Sequence, residues 1–217
     1  MGQTVDAETL AMVTTELPLT GLVVLDLGQI YQGPYAGFLA AKAGAEVIKI
    51  EPPQGEPLRR RADVRGGLVP LAMLNANKRG VTIDLKQDAG KRLLCRMVER
   101  TDVLIENFAP GVMARLGLGY ERLAEINPRL VYGSGTGYGL SGPDRDNLAM
   151  DLTVQAYSGI MSVTGYADKP PVKAGPAVVD FMGGTHLYAG IVTALLQRER
   201  TGRGRLVEVA MEEAAYP

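Results

Sequence analysis

Short apolar runs alternate with helix-like stretches along the chain, and that rhythm limits what it can fold into more than any single motif. Residues 22–27 (LVVLDL) read as a strand buried on both faces. Gly33 and Pro34 open a small-residue helix that runs to about Ala43, and Gly44 ends it. Residues 46–50 (EVIKI), 81–85 (VTIDL), 102–105 (DVLI) and 129–132 (RLVY) supply further strands. Residues 88–100 form an amphipathic helix with Leu93, Leu94, Met97 and Val98 inward. Beyond Gly133 the texture changes to glycines, then to helices at about 151–163 and 185–200, a turn at 201–204 and a strand at 206–210. Strands joined by helices predict an α/β fold, an open and mostly parallel Rossmann-like sheet flanked by helices.

At 217 residues the chain can bury a substantial core in one large domain. Residues 1–19 read as a flexible N-terminal extension and 20–217 as the folded part. A net charge of -1 offers no basic field to recruit nucleic acid or a membrane surface. No apolar run reaches bilayer-spanning length, and the first residues lack a secretion signal. Cys95 is the only cysteine, which excludes an intramolecular disulfide and suits a reducing cytoplasm. With His186 the only histidine, a zinc site built from Cys and His is not expected.

Residues 175–186 (GPAVVDFMGGTH) hold the side chain with the most chemistry. Asp180 follows two valines, which desolvate a carboxylate, and precedes Gly183 and Gly184, which let backbone or ligand come close. An aspartate is ionised at neutral pH and needs no partner base to act as a nucleophile. That suits attack on an activated carbonyl such as a thioester. The competing reading is an N-cap for the helix that follows.

Other segments carry weaker signals. Residues 137–142 (GYGLSG) match the dinucleotide fingerprint G-x-G-x-x-G, but Pro143 and Asp144 follow where the helix should run, so a glycine-rich loop is the better reading. Arg59, Arg60, Arg61 and Arg65, and separately Lys78 with Arg79, are candidates for ligand phosphates or for solvated surface. Asn107, Phe108 and Arg115 follow the fourth strand, in the region where open α/β sheets bind ligands. Phe108 could stack on an adenine or pack in the core.

Residues 24–27 (VLDL), 33–36 (GPYA), 44–53 (GAEVIKIEPP), 75–86 (NANKRGVTIDLK) and 106–108 (ENF) form an ordered set. Residues 126–130 (INPRL), 155–159 (QAYSG), 179–184 (VDFMGG) and 201–204 (TGRG) continue it. Together they resemble the family III CoA-transferases, the CaiB/BaiF superfamily that includes formyl-CoA transferase, carnitine CoA-transferase and α-methylacyl-CoA racemase. The resemblance implies an enzyme that moves CoA between an acyl-CoA and a free carboxylic acid, with coenzyme A arriving as substrate and no permanently bound cofactor or metal. It implies that Asp180 forms a mixed anhydride and then an aspartyl-CoA thioester. Asn107, Phe108 and Arg115 match CoA-pocket positions, and Met211 matches a methionine close to the bound CoA. Where formyl-CoA transferase has a glutamine that holds intermediates, Tyr31 stands here, with Gln29 and Gln32 beside it as candidate amide donors. Pro52 replaces a CoA-binding arginine of some members, for which Arg59 to Arg61 could substitute.

Racemisation needs a second acid–base group. The racemases use a histidine before an aspartate, whereas the matching pair here is Met150 and Asp151, and His186 lies in another column. The racemase reading is therefore disfavoured. Asp151 reads as a helix-opening residue or an auxiliary carboxylate. Family members are far longer, with a second, smaller domain and a returning segment, and they form interlocked dimers. The resemblance thus implies the N-terminal part of a large domain, partnered by a second copy or by a complementing C-terminal half. A non-catalytic fragment or partner subunit is the alternative from a different class.

Overall fold

The structure, a computed structural model, describes residues 16–61 and 68–216. In chain order it forms β1 (Val23–Asp26), α1 (Gln32–Lys42), β2 (Glu46–Glu51), a 3-10 turn (Pro57–Arg61), α2 (Val69–Leu74), β3 (Lys78–Thr82) and α3 (Asp88–Val98). These are followed by β4 (Val103–Glu106), α4 (Val112–Arg115), α5 (Tyr120–Ile126), β5 (Val131–Thr136), α6 (Asp151–Tyr157), α7 (Val178–Thr201), β6 (Leu206–Ala210) and α8 (Met211–Ala215).

Successive strand residues face opposite layers, and both layers are apolar here. Val24, Val47, Val103, Ile105 and Val131 point to the layer built by Ala36 and Ala40 of α1 and Leu187, Ile191 and Leu195 of α7. Leu25, Ile50, Leu104 and Tyr132 point to the other, against Leu94 and Val98 of α3, Met113 of α4 and Leu123 of α5. The six described strands pair in parallel in the order β3-β2-β1-β4-β5-β6. The winding direction reverses between β1 and β4. Loops leaving the carboxyl ends of those two strands diverge, and a ligand crevice opens between them. The α/β fold expected from the sequence is the one observed.

Several boundaries differ from the sequence reading, each for a physical reason. β3 starts at Lys78 rather than Val81, because it is an edge strand whose first half, Arg79 and Gly80, faces solvent and carries no apolar pattern. β5 continues through Gly133 and Gly135 to Thr136. A Cβ at Gly133 would come within 2.8 Å of Ile191, so glycine there reflects close helix–sheet packing rather than a loop. α6 ends at Tyr157, and Gly159, at φ 83°, separates it from a 3-10 turn over Ile160–Val163. Leu93, expected inward on α3, is exposed, whereas Leu94 and Val98 are buried.

α7 begins at Val178, well before Thr185, and so takes Asp180 and both following glycines into its first turns. By length and composition this helix is apolar enough to cross a membrane, against the expectation that no run reaches that length. In the fold it lies on the sheet, with Leu187, Ile191 and Leu195 in the core. Residues 1–15 of the expected N-terminal extension, and Arg65, lie outside the described residues. The end of that extension is already packed: Leu19 is buried and its N–H donates to the Ala43 carbonyl at 2.8 Å.

Candidate active site

The floor of the crevice is the β1–α1 connection, which buried charges fasten. Asp26 is fully buried, 2.6 Å from Lys78 Nζ and 3.6 Å from Lys49 Nζ. Burial by itself would raise its carboxyl, but the two lysines outweigh that and hold it below the usual carboxylate range. The cluster grips the loop directly. Gly28 N–H donates to Asp26 Oδ1 at 2.8 Å, Lys49 donates to the Gly28 carbonyl, and Lys78 donates to the Pro34 carbonyl at 2.8 Å. Lys78 is thus committed to the scaffold and does not offer the phosphate contact considered from sequence.

Next in the loop, Ile30 sits at φ 63°, a strained conformation for a β-branched residue. The buried Glu56 holds it there by accepting its N–H at 2.6 Å. Asn107, at the end of β4, completes the anchoring with both ends of its amide. Its Oδ1 accepts Gln29 N–H at 2.7 Å and its Nδ2 donates to the Gln29 carbonyl at 3.0 Å. Glu106 steadies the same corner, accepting Ser134 Oγ–H at 2.6 Å and Phe108 N–H at 2.9 Å. Its burial pushes its carboxyl up to about 7 against those two hydrogen bonds.

Over this floor hangs Asp180, the third residue of α7 and 7% exposed. It is not an N-cap: Ala177 holds that place, so the capping reading is corrected. The backbone N–H of Gln32, the first residue of α1, favours the charged form of the Asp180 carboxyl. Burial first, and then the charge of Asp151, push it up to about 7, and the Gln32 N–H only partly offsets them. A cleft of about 200 Å³ opens onto it, walled by Gln29, Gln32, Asn107, Phe108, Met150 and Met211, among others. Gln29 and Phe108 also wall a larger, adjoining cleft of about 350 Å³, with Ile50, Leu85 and Val112 along it and Lys86 as its basic residue.

The structure therefore brings together Asp180, Gln29, Asn107, Phe108 and Met211. It keeps two other sequence candidates apart. Tyr31 packs its ring 5.7 Å from that of Phe181, beside Leu58 and Leu74, and does not line either cleft. Arg115 is exposed at the end of α4, although Val112 and Leu116 on either side of it line the larger cleft. Arg59 is held by Glu51 through two hydrogen bonds of 2.6 Å, beside Pro52. The glycine-rich loop after β5 leads into turns rather than a helix, and Gly137 lines the Asp180 cleft. His186 sits exposed on α7 with its Nδ1 2.8 Å from the Met182 carbonyl.

Sequence reasoning missed Lys86, the buried triad under the loop and the role of the Gln32 backbone. A signal existed for the triad: Asp26 and Lys49 are charges inside otherwise apolar strands.

Comparison with known proteins places this architecture. The sequence profile described as CoA-transferase family III matches residues 19–217. The chain is 44% identical over 200 residues to a formyl-CoA:oxalate CoA-transferase of Streptomyces avermitilis, across 90% of this chain and 48% of that protein. It is 39% identical over 199 residues to a succinyl-CoA--D-citramalate CoA-transferase of Chloroflexus aurantiacus, across 90% of this chain and 50% of that protein. Among solved structures, a CAIB/BAIF family protein from Brucella suis superposes with a TM-score of 0.88 at 37% identity, over 93% of this chain and 55% of that one. The chain spans about half the length of the curated relatives it matches. On the match over residues 19–217 and on this fold, the chain belongs to CoA-transferase family III.

Proposed function

We propose that this chain carries the nucleophile of a CoA-transferase that moves CoA between an acyl-CoA and a free carboxylic acid. The observation that carries the proposal is the Asp180 carboxyl itself, shielded from water at the head of α7 and lining a cleft.

The chemistry runs in balanced steps. A carboxylate oxygen of Asp180 attacks the thioester carbonyl, the C–S bond breaks, and CoA leaves as thiolate with a mixed anhydride behind it. The thiolate then attacks the Asp180 carbonyl of the anhydride, which releases the donor acid and leaves an aspartyl-CoA thioester. An acceptor carboxylate displaces the thiolate to form a second anhydride. Return of the thiolate to the acceptor's carbonyl frees Asp180 and yields the new acyl-CoA. One thioester replaces another, so no external energy source enters.

The raised basicity of Asp180 favours this role, because a more basic carboxylate is a stronger nucleophile and remains substantially ionised near pH 7. Gln32 N–H favours the charged form of the attacking group, and Gln29 offers an amide donor for the developing oxyanion. The adjoining apolar cleft, with Gln29 and Phe108 as shared walls and Lys86 along it, suits the remainder of a CoA molecule. We place the reaction in a reducing cytoplasm, where Cys95 stays a thiol, and in a dimer or a complex with the complementing half.

Intact-protein mass spectrometry after mixing with a panel of acyl-CoAs tests the reading. A CoA-sized adduct, removed by hydroxylamine and absent from Asp180→Asn, is the expected result. A folded chain that shows no adduct with any donor would overturn it.

A further inference from the structure

We propose that Asp151 is a positioning residue for Asp180: it occupies the free N–H groups that open α7, leaves the Asp180 carboxyl turned into the cleft, and sets a second negative charge beside it. The proposal rests on the reading of Asp180 as nucleophile.

The first N–H groups of a helix have no partner within it. Ala177, at the cap position of α7, has no side-chain oxygen to offer them. An aspartate three residues in would ordinarily turn back onto those N–H groups, where the helix dipole stabilises its charge and lowers its basicity. Asp151 forestalls this from a different helix. Its Oδ1 accepts Val179 N–H at 3.0 Å and, more weakly, Asp180 N–H at 3.4 Å. Its Oδ2 accepts Gln155 Nε2 at 2.5 Å. Gln155 is fully buried one turn along α6, and its Oε1 accepts Ala174 N–H at 2.8 Å in the segment that enters α7. Asp151 and Gln155 together clamp the start of α7 from outside.

The clamp has an electrostatic consequence. A charge placed at the helix start cancels the field that would otherwise lower Asp180, and it repels the Asp180 carboxylate directly. The elements packed against α7 carry other charged or titratable groups, Glu208 on β6, Glu212 and Glu213 on α8 and Tyr35 on α1, while Lys173 precedes the helix and His186 lies along it. Of all these, Asp151 is the one whose charge shifts Asp180.

A purely structural cap and a positioning residue differ in what removal of the charge does. Asp151→Asn keeps an oxygen for the helix N–H groups and loses the charge. The test is a pH titration of the ligand-free chain labelled with 13Cγ-aspartate, with the Asp180 resonance assigned by its loss in Asp180→Asn. In Asp151→Asn the Asp180 midpoint is expected to fall by roughly half a pH unit or more, while the thermal midpoint falls as well, because the new amide nitrogen faces Gln155 Nε2 and leaves that donor without its acceptor. Asp151→Ser, which also caps without charge, repeats the test should the asparagine variant not fold. An unshifted midpoint in a folded variant overturns the proposal. Because the titration needs no acyl-CoA, a wild-type chain that titrates as expected but forms no adduct counts against the nucleophile reading alone.

Discussion

Two aspartates lie buried at the same end of the sheet, Asp26 at the close of β1 and Asp180 at the head of α7, and their surroundings drive them apart. Burial raises both carboxyls. At Asp26 two lysines outweigh it, whereas at Asp180 a single N–H meets both burial and the charge of Asp151. The result is one carboxylate held below its usual range and another pushed up to about 7. Burial alone therefore does not make a carboxyl group reactive; the groups it is buried against decide. Asp26 uses its oxygens on Lys78 and Gly28 and becomes scaffold. Asp180 keeps its own for the cleft.

The sharpest way to break this contrast is through pH. The Asp180 carboxyl titrates at about 7 in the folded chain against an ordinary value of 3.8. Between those values the unfolded chain has released its proton while the folded chain retains it, so stability falls as pH rises and stays low above the folded value. The loss is on the order of 4 kcal/mol once both states are ionised. Glu106, also pushed up to about 7, adds a loss of the same sign. Asp26 works in the opposite sense: its contribution is present above the ordinary carboxylate range and is lost only below it. Urea unfolding across this range should show a decline in the wild type, about half of which disappears in Asp180→Asn. An equal decline in the variant would mean that Asp180 is not strained by its site.

Lys78→Met attacks the other side of the comparison. It leaves Asp26 fully buried with only Lys49, 3.6 Å away, to balance it. Breaking a buried ion pair by removing one partner is strongly destabilising, and the surviving lysine puts the expected loss at about 3 kcal/mol. Denaturant unfolding measures it. A loss below about 1 kcal/mol would mean that the triad is hydrated and does not fasten the loop.

These contrasts also explain what the sequence could reveal. β1, β2 and β4 are mostly apolar on both faces and were recognisable within about a residue, because a central parallel strand is covered on both sides and admits a polar side chain only where a partner meets it, as at Asp26, Lys49 and Glu106. The edge strand β3 hid its start in Lys78, Arg79 and Gly80. β5 hid its second half in glycines that exist to admit Ile191 and Gln32. The first turn of α7 was unreadable for a deeper reason: its cap comes from Asp151 on α6, a tertiary contact that local pattern cannot carry. Asp180, Asn107 and Met211 were visible as side chains in the right segments. The Gln32 donor that favours the charged form of Asp180 was not, since it is a backbone N–H and any residue but proline at position 32 would provide one.

That backbone donor can be tested through two neighbouring glycines of α7. Within a helix, Gly→Ala gains up to about 1 kcal/mol where the methyl fits. At Gly183 a Cβ would lie 2.9 Å from Gln32 Nε2 and 3.1 Å from Met211 Cγ, and both contacts are side-chain atoms able to yield. At Gly184 it would lie 2.7 Å from the Gln32 carbonyl oxygen, which belongs to the main chain at the start of α1. Gly183→Ala is therefore expected to be close to neutral in stability, and Gly184→Ala to cost about 1–2 kcal/mol. The second variant should also slow formation of the acyl-CoA adduct, because displacing the Gln32 backbone withdraws the N–H that favours the charged form of the Asp180 carboxyl. A Gly184→Ala chain as stable and as reactive as the wild type would mean that this backbone moves freely, and a freely moving N–H cannot be what keeps the nucleophile charged.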